Sequence, residues 1–145
     1  ELDKLPQDRL NILLLGQRYL VDDPFISINL KNRLISAQIN VFTPEQFCEE
    51  TVIQASHILP KRMFWTSGRN AVGTLEHLWE RLDGIVTLAA FACGADSLVN
   101  EIIDRRARHG SVPHLMINLD EHTGEVGLIT RLEAFLDLLE RRRAQ

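Results

Sequence analysis

The sequence predicts an α/β domain: an open parallel sheet of about four strands in the order 2-1-3-4, with helices on both faces. Three observations predict it. Asn11-Ile-Leu-Leu-Leu-Gly16 is a continuous apolar run ended by glycine, the pattern of a strand buried on both faces. A second strand-like run, Ile39 to Thr43, comes only after a stretch of helical spacing, which makes a βαβ unit. The remainder alternates helix-period segments with apolar runs, and right-handed crossovers between such strands lay helices on both sides of the sheet.

Each element has a local reason. Asp22-Asp23-Pro24 offers a capping carboxylate ahead of an early-helix proline, and Phe25, Ile28, Leu30, Leu34 and Ile35 continue at helical spacing to about Gln38. Thr43-Pro44-Glu45-Gln46 can start a short helix, and Pro60-Lys61-Arg62 breaks any helix near the end of the irregular stretch 44–63. From Ser67 to Leu82 the apolar positions Val72, Leu75, Leu78, Trp79 and Leu82 recur every three or four residues until Asp83-Gly84 stops the helix. Ile85 to Ala92 is the third strand, Asp96 to His109 a helix ending at Gly110, Pro113 to Leu119 the fourth strand, and Gly127 to about Arg143 the terminal helix. The pattern is that of Rossmann-like or flavodoxin-like sheets. Arg141-Arg142-Arg143 reads as a solvated helix end that complements the helix dipole.

The 145 residues are the length of one domain, 1–145, and the start at Glu1 reads as a segment of a longer chain. Apolar residues at 45% and charged residues at 25% supply a core and exclude disordered and fibrous classes. The longest apolar stretch, Ile85 to Cys93, falls well short of the roughly 20 residues that cross a bilayer, so no membrane partner is expected. A formal net charge of −4 gives no excess positive field for a phosphate backbone, so nucleic acid is not an expected partner either. Two cysteines 45 positions apart fit a reducing, cytoplasmic setting. Cys48 is expected in the core, and Trp65 and Trp79 as core or partner-facing anchors.

In such sheets ligands bind beyond the carboxyl ends of the strands, near the point where strand order reverses. Three loops are expected to meet there in one cleft: Gly16-Gln17-Arg18-Tyr19, Cys93-Gly94-Ala95-Asp96-Ser97 and Asp120-Glu121-His122-Thr123-Gly124-Glu125. Cys93, where a strand gives way to a helix start, is a candidate nucleophile or metal ligand, or else a small buried residue at a tight turn. Asp96 and Ser97 can line the cleft or simply cap the adjoining helix. Asp120, Glu121, His122 and Glu125 are the candidate catalytic or proton-transfer groups, and with Cys93 they are the types that could hold a divalent metal. No Walker lysine loop, Gly-x-Gly-x-x-Gly, His-Glu-x-x-His or Gly-x-Ser-x-Gly motif is present. Arg131, one to two turns beyond the acidic loop, either reaches back to Asp120 or Glu121 as a clamp or pairs at the surface with Glu133 or solvent.

Four blocks resemble a known family, the proteins related to 2-hydroxyacyl-CoA dehydratases (the 2-hydroxyglutaryl-CoA dehydratase type) and their ATP-dependent activators, the acyl-CoA dehydratase activase-related proteins. They are Gly16-Gln-Arg-Tyr19 with Asp23-Pro24; Phe64-Trp65 with Gly68; Phe91-Ala-Cys-Gly-Ala-Asp-Ser97; and Leu119-Asp-Glu-His-Thr-Gly-Glu-Val-Gly-Leu-Ile-Thr-Arg-Leu-Glu-Ala-Phe135. Ala95 stands where the family's cysteine turn usually has proline, and Gln17-Arg18 where an Arg-Pro pair is usual. The resemblance implies one dehydratase-like α/β domain of a larger protein of anaerobic metabolism. It also implies iron–sulfur chemistry and ATP-driven electron transfer to an acyl-CoA dehydratase, with the ATPase elsewhere. On that reading Cys93 is one ligand of a [4Fe-4S] cluster completed from outside this segment, and the isolated domain carries no cofactor. Gln17, Arg18, Tyr19, Asp96, Ser97, Thr123 and Arg131 line the cleft. The implied partners are an activator ATPase domain or a dehydratase subunit; a non-catalytic docking module for either is the alternative.

Overall fold

A computed structural model of the chain describes residue 6 and residues 8–59, 63–90, 93–120 and 124–144. Strands β1 (Asn11–Leu15), β2 (Asn40–Phe42), β3 (Gly84–Ala90) and β4 (His114–Leu119) form one parallel sheet in the order β2-β1-β3-β4. The expected topology is therefore the one observed, and strand order reverses between β1 and β3. Along β1 successive side chains alternate between two separate cores. Ile12 and Leu14 face the helices α1 (Arg18–Asp22), α2 (Leu30–Ser36) and α6 (Glu125–Arg143); Leu13 and Leu15 face α4 (Thr66–Leu78) and α5 (Gly94–His109). All four side chains are essentially inaccessible to water, which is why the run carries no polar alternation.

Several boundaries differ from expectation for local reasons. Of the helix expected from Asp22 to Gln38 only α2 forms, and a short helix not expected from the sequence, α1, precedes it. Between them the carboxylate of Asp23, not Asp22, accepts the backbone N–H groups of Phe25 (2.8 Å) and Ile26 (3.1 Å), and Ile28 and Asn29 take positive φ of 53° and 57°. That conformation is costly for β-branched Ile28 and ends helical pairing there. The irregular stretch 44–63 contains α3 (Glu49–Ala55), preceded by a 3-10 turn over Pro44–Gln46 in which Thr43 and Gln46 cap each other. Pro60-Lys61-Arg62 lies outside the described residues. The helix expected to run to Leu82 gives way at Leu78 to a 3-10 turn, and Trp79 there packs under Arg106, whose guanidinium lies 3.5 Å from the ring centroid while it also grips Glu76. Trp79 is thus a core-side anchor. Asp83, expected only to stop a helix, ties two strands together: its carboxylate accepts the Asn11 N–H (2.7 Å) and its own N–H donates to the Asn11 carbonyl. Among the described residues, no helix is long and apolar enough to cross a membrane.

Candidate functional site

The reversal of strand order leaves a gap between the carboxyl ends of β1 and β3, and the starts of α4 and α5 close over it. Gly16 makes the turn out of β1 with φ of 155°, and a Cβ there would stand 2.7 Å from the Leu88 carbonyl oxygen on β3. Only glycine lets the two strand ends approach this closely. Gln17, next in the chain, spends both protons of its side-chain amide across the gap, on Asp96 Oδ1 of α5 (2.8 Å) and on Ser67 Oγ of α4 (3.3 Å). Beneath this bridge is a hollow of about 30 Å³ lined by Leu15, Leu88, Val99 and Ile103, with Asp96 and Asn100 as polar members and Trp65 at its rim. It has room for a group of one or two heavy atoms. Asp96 is 9% exposed, and its second oxygen, Oδ2, is buried with no hydrogen-bond partner among the described residues.

The carboxyl ends of the strands thus share one edge, but among the described residues the three loops do not line one cleft. Gln17 and Asp96 meet at the hollow. Asp120 and Glu125 instead line a separate open groove of about 650 Å³ on the α1, α2 and α6 side, with Phe25, Ile26, Ile28 and Arg33. Arg33 pairs there with Glu125. The reason is topological: α5 packs on one face of the sheet and α6 on the other, so Asp96 at the start of α5 and Glu125 at the start of α6 lie towards opposite faces. Glu121, His122 and Thr123 lie outside the described residues.

The other expected residues are dispersed. Cys93 is half-buried at the position preceding α5, and its carbonyl accepts both the N–H (3.0 Å) and the hydroxyl (2.8 Å) of Ser97. Ser97 is therefore folded back on its own helix and, like Asp96, does not cap it. Arg18 lies at the surface in an i,i+4 pair with Asp22 (3.2 Å), and Tyr19 is exposed beside it. Arg131 donates to the Met116 carbonyl of edge strand β4 (2.7 Å), a target not anticipated from the sequence. Cys48, expected in the core, is exposed before α3. A hydrogen bond with Thr51 Oγ1 (2.8 Å) draws its thiol below the usual range. Among the described residues, no three His, Cys, Asp or Glu side chains converge as a group able to hold a metal ion.

Sequence reasoning missed two features. Phe64 and Phe25 are about nine-tenths exposed, and with Tyr19, Ile26, Trp65, Leu98 and Val126 they place most of the large exposed apolar side chains at the carboxyl edge or in the first two turns of a helix leaving it. Local pattern hid this: Phe25 falls into a helical spacing that assigns it to a core, and a short apolar pair such as Phe64-Trp65 carries no mark of exposure. The second is a buried chain: Thr87 Oγ1 lies 3.0 Å from His114 Nε2, His114 Nδ1 lies 3.2 Å from Asp104 Oδ1, and Arg108 holds the other Asp104 oxygen at 2.7 Å. Burial pushes the His114 imidazole below its usual value against the pull of Asp104. Burial would raise Asp104, but its hydrogen bonds with His114 and Arg108 outweigh that and hold it low. Neutral His114 donating from Nδ1 and accepting the Thr87 hydroxyl satisfies every partner. Thr87 has no exposed surface and the His114 side chain almost none, so this hydroxyl–imidazole–carboxylate line joins β3, β4 and α5 from within and reaches the surface at Asp104.

The chain matches no family model, and no curated protein is similar to it.

Proposed function

We propose that this chain is a non-catalytic docking domain of an acyl-CoA dehydratase activase-related assembly, presenting the carboxyl edge of its sheet to the activator ATPase domain or the dehydratase subunit. The observation that supports the reading is the apolar edge. Surface apolar residues scattered singly mean little, whereas a concentration around one rim, with a polar border of Arg18, Asp22, Arg33 and Glu125, is the composition of an interface. The hollow beneath it is far too small for an acyl thioester, and the hydroxyl and imidazole of the His114 line are buried.

The iron–sulfur chemistry of such an assembly is not carried by these residues alone. A cubane commonly takes four thiolates, and the carboxyl edge offers one, Cys93. The described residues therefore do not fit the cluster by themselves, and its remaining ligands belong elsewhere in the assembly. The setting proposed with it is cytoplasmic and anaerobic.

The test measures association of the purified chain with the activator ATPase domain and with the dehydratase subunit, by sedimentation and calorimetry, against a Phe25→Ser, Phe64→Ser double variant. Both side chains are exposed, so the fold should hold, with a cost of about 0.5 kcal/mol or less at each site. Loss of roughly tenfold or more in affinity, as expected for anchors at an interface centre, supports docking through this edge. Unchanged affinity, or no association with either partner, overturns it.

A further inference from the structure

The groove of about 650 Å³ on the α1, α2 and α6 side has the volume of a ligand site but is open to solvent. A small molecule is usually held with most of its surface covered, so an open groove suits a segment of chain better. Its lining includes buried Leu20 and Leu119, half-buried Ile28, and Phe25 and Ile26, which are 92% and 38% exposed. The polar lining decides which segment fits. Arg33 gives Nε to the Ile28 carbonyl (3.0 Å) and Nη2 to Glu125, which fixes the guanidinium and leaves Nη1 without an acceptor among the described residues. Asn29 accepts the Asn32 amide on its side-chain oxygen (2.7 Å), so its own amide nitrogen is a donor, and it too lacks an acceptor among the described residues. Both residues line the groove and both are open to solvent. They stand one helical turn apart, the Arg33 N–H donating to the Asn29 carbonyl. Side chains so related are about 5–6 Å apart at Cβ, close to the roughly 6.6 Å at which carbonyls on one side of an extended chain recur. Glu125 answers the Arg33 charge and Asp120 lines the same groove, so among the described lining residues no excess positive charge draws in an anion. Ile28 and Asn29 also hold positive φ of 53° and 57°, a strain that gathers where a chain is shaped for a ligand.

We propose that this groove seats an extended, uncharged, apolar segment of the docking partner, with two same-side main-chain carbonyls on Arg33 Nη1 and Asn29 Nδ2 and apolar side chains against Leu20, Ile28 and Phe25. That a partner brings the segment rests on the docking reading. The recognition chemistry belongs to this chain and can be tested without the partner.

The experiment titrates the isotope-labelled chain with a blocked, uncharged pentapeptide in which leucine alternates with threonine, following backbone amide NMR shifts. A peptide with serine at the leucine positions and one with glutamate at the threonine positions are run in parallel. Saturable shifts at Ile26, Ile28, Asn29, Arg33 and Val126, lost with the serine peptide and weakened with the glutamate peptide, are the expected result. Asn29→Gly should weaken binding roughly threefold or more, the loss of one hydrogen bond. Glycine adopts a φ of 57° freely, so the variant removes the donor and keeps the turn; the peptide series on the unaltered chain decides the matter if it does not fold. Shifts confined to other regions, no saturable shift, equal binding of the serine or glutamate peptide, or an unaltered response in Asn29→Gly would each overturn the proposal. The activator ATPase domain and the dehydratase subunit are then added to parent and variant. Association that is as strong in Asn29→Gly as in the parent overturns the seated segment and leaves docking at the edge in place. Failure of both partners to bind, with the peptide still held in the groove, overturns the docking assignment and supports the recognition.

Discussion

Replacing Gly16 by alanine should be among the most damaging single-methyl changes available in this chain. The added Cβ would meet the Leu88 carbonyl oxygen at 2.7 Å, Leu88 Cβ at 3.2 Å and Val21 Cγ2 at 3.3 Å, on a backbone whose φ of 155° L-residues rarely adopt. The nearest obstacle is strand backbone, which cannot rotate away as a side chain can. A sparsely populated backbone conformation costs about 1–3 kcal/mol, and forcing a methyl into a packed site costs a further ~1–3 kcal/mol. Relaxation shares these penalties, so the expected loss is roughly 2–4 kcal/mol. At about 3 °C per kcal/mol for a domain of this size, the melting midpoint should fall by roughly 6–12 °C. Gly127→Ala is the matched control: its Cβ would meet nothing within 4 Å, and it lies in α6, where alanine is favoured by up to about 1 kcal/mol. Urea denaturation of both variants, with the slope checked for constancy, measures the difference. A Gly16→Ala midpoint within about 1 °C of the parent would refute the claim that the β1–β3 approach requires glycine.

Two further outcomes are expected. His114 titrates below its ordinary 6.5 in the folded chain, so the unfolded state takes up a proton first as pH falls; stability should decline from about pH 6.5 down towards the lower folded value, and Asp104, held below 3.8, adds a second loss only in stronger acid. Thermal melts between neutral and mildly acid pH on the parent and on His114→Gln check this, and an equally steep decline in the variant would assign the effect elsewhere. Arg131→Lys should change the melting midpoint by no more than the equivalent of about 1 kcal/mol, because a single exposed contact to the Met116 carbonyl is at stake; a larger loss would restore Arg131 as a clamp.

Strand order and the two cores were legible because they rest on burial, and burial is written in composition. Leu13 and Leu14 sit side by side in the chain and go to opposite faces, so only a strand covered on both sides accommodates Ile12 to Leu15. Helix boundaries were less legible where backbone geometry, not side-chain pattern, decides. The spacing of Phe25, Ile28, Leu34 and Ile35 fits one helix. The break at Ile28 and Asn29 is a local conformational choice that apolar periodicity does not encode, and it turns Phe25 out to solvent.

The candidate site divides along the same line. That the loops after β1 and β3 lie together is a consequence of parallel topology, and Gln17, Asp96 and Cys93 were placed at that edge from sequence. Which face of the sheet a strand-end residue serves depends on the helix it adjoins, and this is what separates Asp120 and Glu125 from Asp96. Asp96 shows the difference most sharply. An aspartate three residues after a strand exit reads as a helix cap, because capping needs only the local chain. Its observed partner, Gln17, is 79 positions away. A long-range partner of that kind leaves no trace in local pattern, yet it takes one carboxylate oxygen across the strand reversal, while the other is buried without a partner among the described residues. The hydrogen bond to Gln17 therefore makes Asp96 part of the β1–β3 junction and not a cap of its own helix.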